Sequence, residues 1–435
     1  MTKSEQLKRP APAPGGVDRA GVRRDVADML RRIERDGETA VREYSRRLDG
    51  WDPPSFLVDP ATGDGAVPED LRGHIAFALE QVRGFARAQR ATLADLRTEP
   101  LPGVVLGHRH VPVGSVGAYV PGGRYPMLAS SFMTVAVAKE AGVQRVVACA
   151  PPRGGAGIDP AMLYAMAASG ADQVLCLGGV QGLAALVHGL CGVEPVDMLV
   201  GAGNAYVAEA KRQLFGEAGI DLLAGPTEIL VIADAQADPE LVAADLLGQA
   251  EHGPTSPAVL VTTSRELGLE VIARADTLLG GWPTAEVAGA AWRHHGEVLV
   301  AGDREEAAAE ADRRAPEHLE VHAADPDWWR ERLRNYGSLF LGDSTVAYGD
   351  KAVGTNHVLP TAGAARFTGG LWVGKFLKTV TYQDLTAEGT RRRSAMRRGS
   401  PGTRSPPGCG WSGRARDRGR ARRRGRHGHG RRWRP

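Results

Sequence analysis

The 435 residues read as an α/β protein built on mostly parallel sheet, and three features say so. The opening third carries apolar residues at three-to-four spacing. From Arg145 the period shortens to compact runs of Val, Leu and Ile. Helical patterns and glycine turns fill the gaps between those runs.

In chain order, Val22 to Asp36, Glu38 to Leu48 and Glu69 to Ala88 repeat apolar positions every three or four residues, as surface helices do. Strand candidates follow at 145–150 (RVVACA), 172–177 (DQVLCL), 197–200 (DMLV) and 228–233 (EILVIA), their starts 25 to 31 residues apart. Pro160 to Ala168 and Ala205 to Phe215 lie between them with helical periodicity. A strand, helix, strand succession of that length joins parallel neighbours, and such sheets bind ligands at the carboxyl ends of their strands. Further candidates at 258–263 and 297–301 extend the sheet system into a second, similar domain. Glycine-rich turns occur at 114–126, 177–182, 201–207 and 224–228; none fits GxGxxG between a strand and a helix, so they suggest a nucleotide and ordinary tight turns equally.

Composition narrows the function. No stretch reaches the roughly 18 apolar residues of a membrane span, and the polar MTKSEQLKRPAPAPGG has no signal-peptide core. A cytoplasmic enzyme is expected. Cys149, Cys176, Cys191 and Cys409 lack CxxC spacing and read as small buried hydrophobes, which argues against a covalent thiol route. The net charge of +3 joins two unlike parts: residues 391–435 hold 17 Arg and a single acid, Asp417, while the 390 residues before them carry 50 acidic against 37 basic side chains. Nucleic acid is therefore expected only through the tail.

The chemistry concentrates in three segments. In DPELVAADLLGQAEHGP, Asp238 can cap a helix, Pro239 suits its first turn and Gly253-Pro254 ends it, so Gln249 and His252 share a face. Alone, such a pair is more often a solvated amide and a hydrogen-bonded imidazole. APEHL sets Glu317 beside His318, and GDKAVGTNHVLP supplies Asp350, Asn356 and His357. Together they offer what oxidising an alcohol to an acid requires: a Lewis acid for the hydroxyl, a base for its proton and a second base to activate water. Gln, His and Asp ligands suit zinc, and equally manganese or cobalt.

GSVGAYVPGG, GNAYVAEAKRQL, AGPTEILVIAD, DLLGQAEHGP, APEHLEV and GTNHVLPT, in that order, resemble histidinol dehydrogenase from about residue 20 to about 385. The resemblance implies a homodimer with two incomplete, doubly wound Rossmann-like domains, oxidising a primary alcohol through the aldehyde to a carboxylate with two NAD. It makes Gln249, His252 and Asp350 zinc ligands, Glu317 the residue that activates water and His318 the acceptor of the alcohol proton. Tyr119, Gln181 and Asn204 would contact NAD; Thr227, with Gln249, His252, His318, Asp350 and His357, would face the substrate. Residues 21–125 with 235–385 would form the domain bearing metal and catalytic residues and 126–234 the NAD domain, with 1–20 disordered ahead and 386–435 a disordered tail.

Two departures stand out. Arg124, Lys351, Lys375 and Lys378 add positive charge where a cationic amino alcohol would bind, and cations favour an anionic substrate. GGRYP, GDKAVGTNHVLPT and ARFTGGLWVGKFLKT look more like the branch that oxidises 2,3-dihydroxypropane-1-sulfonate, the sulfopropanediol dehydrogenases. The tail is the other departure: the family ends in a small domain whose Glu and Gly-His reach into the partner subunit, whereas Arg-rich sequence containing His427 and His429 follows Leu385 here. It reads as a shifted reading frame, or as a basic arm for RNA or DNA phosphates. An inactive relative and a nucleic-acid binder thus stand beside the active enzyme.

Overall fold

Short runs of branched residues flanked by glycine and helix caps become the strands of two six-stranded sheets. The computed structural model describes residues 5–12, 18–122, 126–342 and 346–387, and of Asp64, Ala347, Tyr348 and Asp350 the backbone only. Arg124, Cys409 and the tail expected from 391 on, with His427 and His429, lie outside the described residues.

The chain divides into two compact units, Met1–Arg97 with Gly107–Tyr382 and Thr98–Leu106 with Gln383–Pro435. In the smaller unit, the described residues include Gly103, whose carbonyl accepts the Thr386 N–H at 2.9 Å. The larger unit holds both six-stranded sheets. One runs in the order Leu57–Val58, Gln173–Cys176, Arg145–Ala150, Ser115–Tyr119, Met198–Val200, Gly219–Ile220. The other runs Glu5–Lys8, Gly296–Val300, Ala258–Thr262, Ile229–Ala233, His318–His322, Ser338–Leu341. Each has five parallel strands, which in order of appearance lie 3-2-1-4-5, with one antiparallel strand from earlier in the chain against the third. This is the doubly wound arrangement short of its sixth strand, formed twice. Each sheet buries apolar side chains on both faces: Val146 and Ala148 on one side of the first and Val147 and Cys149 on the other, Val231 and Leu260 against Ile232 and Val261 in the second.

Helices flank the sheets with the expected caps. Arg19–Asp36 is capped by Asp18, and its buried Val26, Met29 and Ile33 face Gly179–His188 and Ala205–Leu214. Pro239–Ala250 is capped by Asp238, with Pro in its first turn, and stops at Ala250 rather than Gly253; Glu251 and His252 follow in a turn.

Three expectations are corrected. The segment expected to be disordered at 1–20 contains a strand, Glu5–Lys8, held by Gly296–Val300. The glycine-rich stretch 114–126 is a strand over Ser115–Tyr119, central in its sheet; Gly117 sits there because a Cβ would come within 2.9 Å of Leu186 Cδ1. Sheet membership also redraws the expected domains, since Ser115–Tyr119 pairs with Arg145–Ala150, and Ile229–Ala233 pairs with Ala258–Thr262 and His318–His322. Backbone pairing partners are non-local, so sequence proximity misassigned both strands.

Candidate active site

At the carboxyl ends of the first sheet, the turns after strands 1, 3 and 4 converge. Tyr119 closes its strand and its buried hydroxyl accepts the Gly179 N–H at 3.2 Å. Gln181, in the first turn of Gly179–His188, is also buried; its Nε2 donates to Asp49 Oδ2 at 2.8 Å. Asn204 caps Ala205–Leu214, its Oδ1 accepting from the N–H groups of Tyr206 and Val207 at 3.0 and 3.1 Å. The helix Ala205–Leu214 follows strand 4, so its N-terminus lies at the point where strand order reverses, the position at which doubly wound sheets bind nucleotides.

The turn at Gly201 is pinned from both sides. Its φ is +111°, and a Cβ there would lie 2.1 Å from the Tyr119 carbonyl oxygen, so only glycine fits. Its N–H donates to Asp221 Oδ2 at 2.8 Å and its carbonyl accepts from Lys211 Nζ at 2.7 Å. Lys211 and Asp221 pair with each other, both fully buried as side chains.

The second cluster lies at the amino ends of strands 1 and 4 of the second sheet, opposite to the edge that parallel-sheet topology favours. Thr227 and Glu228 precede Ile229–Ala233; Glu317 precedes His318–His322, whose first residue is His318. Gln249 Nε2 donates to Thr227 Oγ1, and the Thr227 hydroxyl donates to Glu317 Oε2 at 2.5 Å. The same Glu317 oxygen accepts the Glu228 N–H at 2.9 Å. His318 Nδ1 lies 3.2 Å from the Glu228 carbonyl, 3.3 Å from Gln249 Nε2 and 3.5 Å from Glu317 Oε2, and its ring stacks on Phe340. Donation from Nδ1–H to that carbonyl leaves Nε2 as the basic nitrogen.

The electrostatics suit proton traffic. Burial and the Glu317 carboxylate push Glu228 up to about 7. His252 is held below the usual imidazole range by burial first and then by Lys351, with His318 adding to the effect, which keeps it neutral and able to bind metal. His252 stays close to the cluster because its N–H donates to the Gln249 carbonyl at 3.3 Å in the turn that ends the helix. A dication fits the donors present: a neutral imidazole at His252 and, because Nε2 of Gln249 is committed to Thr227, the oxygen of that amide. Asp350 lies in the helix Val346–Ala352, with its side chain outside the description. His357 Nε2 meets Ser130 Oγ at 3.0 Å, and Asn356 Nδ2 donates to the Met133 carbonyl at 2.8 Å.

Of the extra cations among the described residues, Lys351 is the one whose charge lowers His252. Lys375 donates to Thr368 Oγ1 at 2.6 Å, and Lys378 is exposed on Leu377–Leu385. Cys149, Cys176 and Cys191 are free and buried, and burial pushes all three thiols up, so none is a ready nucleophile.

Sequence reasoning missed Glu228, whose backbone and carboxyl both serve the cluster, and Asp49, which holds Gln181. It also missed Asp245, Glu320 and His322, whose ligand atoms all lie within 4.8 Å of one another. The alternation in HLEVH was the available signal, because it sets His318, Glu320 and His322 on one face of a strand buried on both.

The family model for histidinol dehydrogenase matches residues 15–397. The chain belongs to the histidinol dehydrogenase family. It is therefore an oxidoreductase of that family. A histidinol dehydrogenase homolog of Ruegeria pomeroyi is 55% identical over 383 residues, 87% of each chain. Sulfopropanediol 3-dehydrogenase of the same organism is 50% identical over 391 residues, 88% of this chain and 89% of that one. Among solved structures, histidinol dehydrogenase from Elizabethkingia anophelis matches with a TM-score of 0.82 at 29% identity, covering 90% of this chain and 94% of its own. Among the described residues, no helix is long and apolar enough to cross a membrane.

Proposed function

We propose that this protein oxidises a primary alcohol to a carboxylate in two NAD-linked steps with the help of zinc, its substrate being a small anionic diol of the 2,3-dihydroxypropane-1-sulfonate kind. The balance is one alcohol, one water and two NAD+ giving one carboxylate, two NADH and three protons. The observation that carries the reading is the convergence of Glu317, Thr227 and Gln249 through direct hydrogen bonds, with His318 held by the Glu228 carbonyl against them and His252 three residues beyond Gln249.

In this reading His318 takes the alcohol proton at Nε2 while the Glu228 carbonyl holds its Nδ1. Glu317, one oxygen held by the Thr227 hydroxyl and the Glu228 N–H, keeps its other oxygen for the water that adds to the aldehyde. Gln249, His252 and Asp350 hold the cation, and Tyr119, Gln181 and Asn204 line the nucleotide site. When bound, zinc polarises the substrate oxygen and NAD takes up the hydride. His357 and Thr227 belong to the substrate pocket in this assignment, and the assembly is a homodimer in the cytoplasm.

The charge of Lys351 next to His252 and the 50% identity to the sulfopropanediol enzyme favour the sulfonate over histidinol. The test supplies purified enzyme with zinc, NAD and either alcohol and follows NADH by absorbance. Two NADH per sulfonate diol, with slower use of histidinol, is expected. One NADH per alcohol, or turnover unchanged after the metal is chelated, would sink the proposal; faster turnover of histidinol would reassign the substrate.

A further inference from the structure

Beside the proposed site lies a second polar layer with no place in that chemistry. Glu320 is fully buried and His322 nearly so. Glu320 Oε2 lies 3.4 Å from His322 Nε2, and Oε1 accepts the Val346 N–H at 2.8 Å. Asp245 faces both, and burial together with the Glu320 charge pushes its carboxyl up to about 7.

Each member stands one step along from a residue of the site. Asp245 precedes Gln249 by four residues on Pro239–Ala250. Glu320 follows His318 by two on its strand. Val346 precedes Asp350 by four on Val346–Ala352. One helical turn rises about 5.4 Å and two strand residues about 6.6 Å, so the steps match. The directions match too: Asp245, Glu320 and Val346 all lie toward the carboxyl ends of the strands, and Gln249, His318 and Asp350 toward the amino ends. One layer up, the strand and the short helix are therefore joined by the Glu320–Val346 hydrogen bond, and Asp245 brings the helix Pro239–Ala250 against them with its ligand atom within 4.8 Å of Glu320 and His322.

Apolar side chains would fill such a space at lower desolvation cost, but they would not fix the height of one element against another. The Glu320 contact is the specific one, because it ties the start of the short helix bearing Asp350 to the strand bearing His318.

We propose that Asp245, Glu320 and His322 are positioning residues, a buried polar layer whose Glu320–Val346 hydrogen bond sets the height of Val346–Ala352 against Gln249 and His318 and so tightens binding of the divalent cation. The inference rests on the metal reading made above.

The experiment measures zinc affinity of the full chain by competition with a chromophoric chelator, and NADH affinity by fluorescence as a readout of the other sheet. Glu320→Leu is expected to weaken zinc by about 10- to 100-fold with NADH affinity within about twofold of wild type. Glu320→Gln, whose amide oxygen can still accept from Val346, should recover most of the loss. Wild-type zinc affinity in Glu320→Leu overturns the proposal, as does a parallel loss of zinc and NADH binding. If Glu320→Leu does not fold, Asp245→Ala decides: weaker zinc binding is expected, and unchanged affinity overturns. His252→Ala separates the two readings. If it leaves zinc binding intact while Glu320→Leu abolishes it, the cation sits in the upper cluster and both readings fall; if it abolishes binding and Glu320→Leu leaves zinc affinity at the wild-type value, only the layer falls.

Discussion

Lys211→Met removes one of the few fully buried charges in the protein and leaves a near-isosteric apolar chain. In the native structure, Lys211 Nζ pairs with Asp221 Oδ1 and donates to the Gly201 carbonyl at 2.7 Å. After the change, Asp221 keeps the N–H groups of Gly201 and Leu222, at 2.8 and 2.6 Å, and has no cation. A carboxylate stranded this way costs about 3–5 kcal/mol, because its desolvation is no longer offset. Asp221→Asn in the same background takes the stranded charge away and keeps an oxygen for one of the two amides, so the double variant should recover about 1.5 kcal/mol or more of that loss. Denaturant unfolding of the four proteins gives the cycle directly. Because Gly201 begins the turn that leads to Asn204, NADH affinity should fall about tenfold in Lys211→Met, an effect of roughly 1.4 kcal/mol. A single variant within about 1 kcal/mol of wild type, or a double variant no better than the single, would refute the claim that this pair is a desolvated charge couple shaping the turn.

Other outcomes follow from the second sheet. Glu317→Gln and His318→Ala should each lower turnover at least about a hundredfold, as loss of a general base does, and steady-state rates near wild type would contradict their roles. Thr227→Val breaks the run from Gln249 to Glu317 at its middle and should cost about tenfold in kcat, against wild-type zinc affinity if its hydroxyl serves the carboxylate rather than the metal. Glu228 is raised in the folded state to about 7, so its burial costs least at acid pH, where it stays protonated; stability falls as pH rises from the unfolded value toward 7 and then levels off. Glu228→Gln should therefore raise the melting temperature more at pH 8 than at pH 5, and an equal shift at both would exclude this origin. Lys351→Tyr should harm use of the sulfonate more than use of histidinol, and equal losses in kcat/KM would remove Lys351 from substrate recognition.

Local periodicity was enough to find six of the helices and six of the parallel strands, because a helix or buried strand writes its own spacing into the residues it contains. It was enough for Asp238 and Pro239 at the head of Pro239–Ala250, and for the strand at Ile229–Ala233. Gln249, His252, Glu317 and His318 also stood out, as polar groups set among apolar and glycine-rich neighbours, and three of them, Gln249, Glu317 and His318, come together in the structure. Ser115–Tyr119 was not, since Gly117 disguises a strand as a turn; the reason for that glycine is the close approach of Leu186 and Leu199 from elsewhere in the chain.

Only the tertiary structure decided which strands share a sheet, that Glu5–Lys8 joins one of them, and that the polar cluster around Glu317 forms at the amino rather than the carboxyl edge. It also produced the contacts among Thr227, Gln249, Glu317 and His318, which span 91 residues of chain, and the layer of Asp245, Glu320 and His322 above them. The cause is the same throughout: periodicity reports which face of an element is buried, whereas hydrogen-bond partners and burial-shifted ionisation depend on what packs against that face, and those neighbours are distant in sequence.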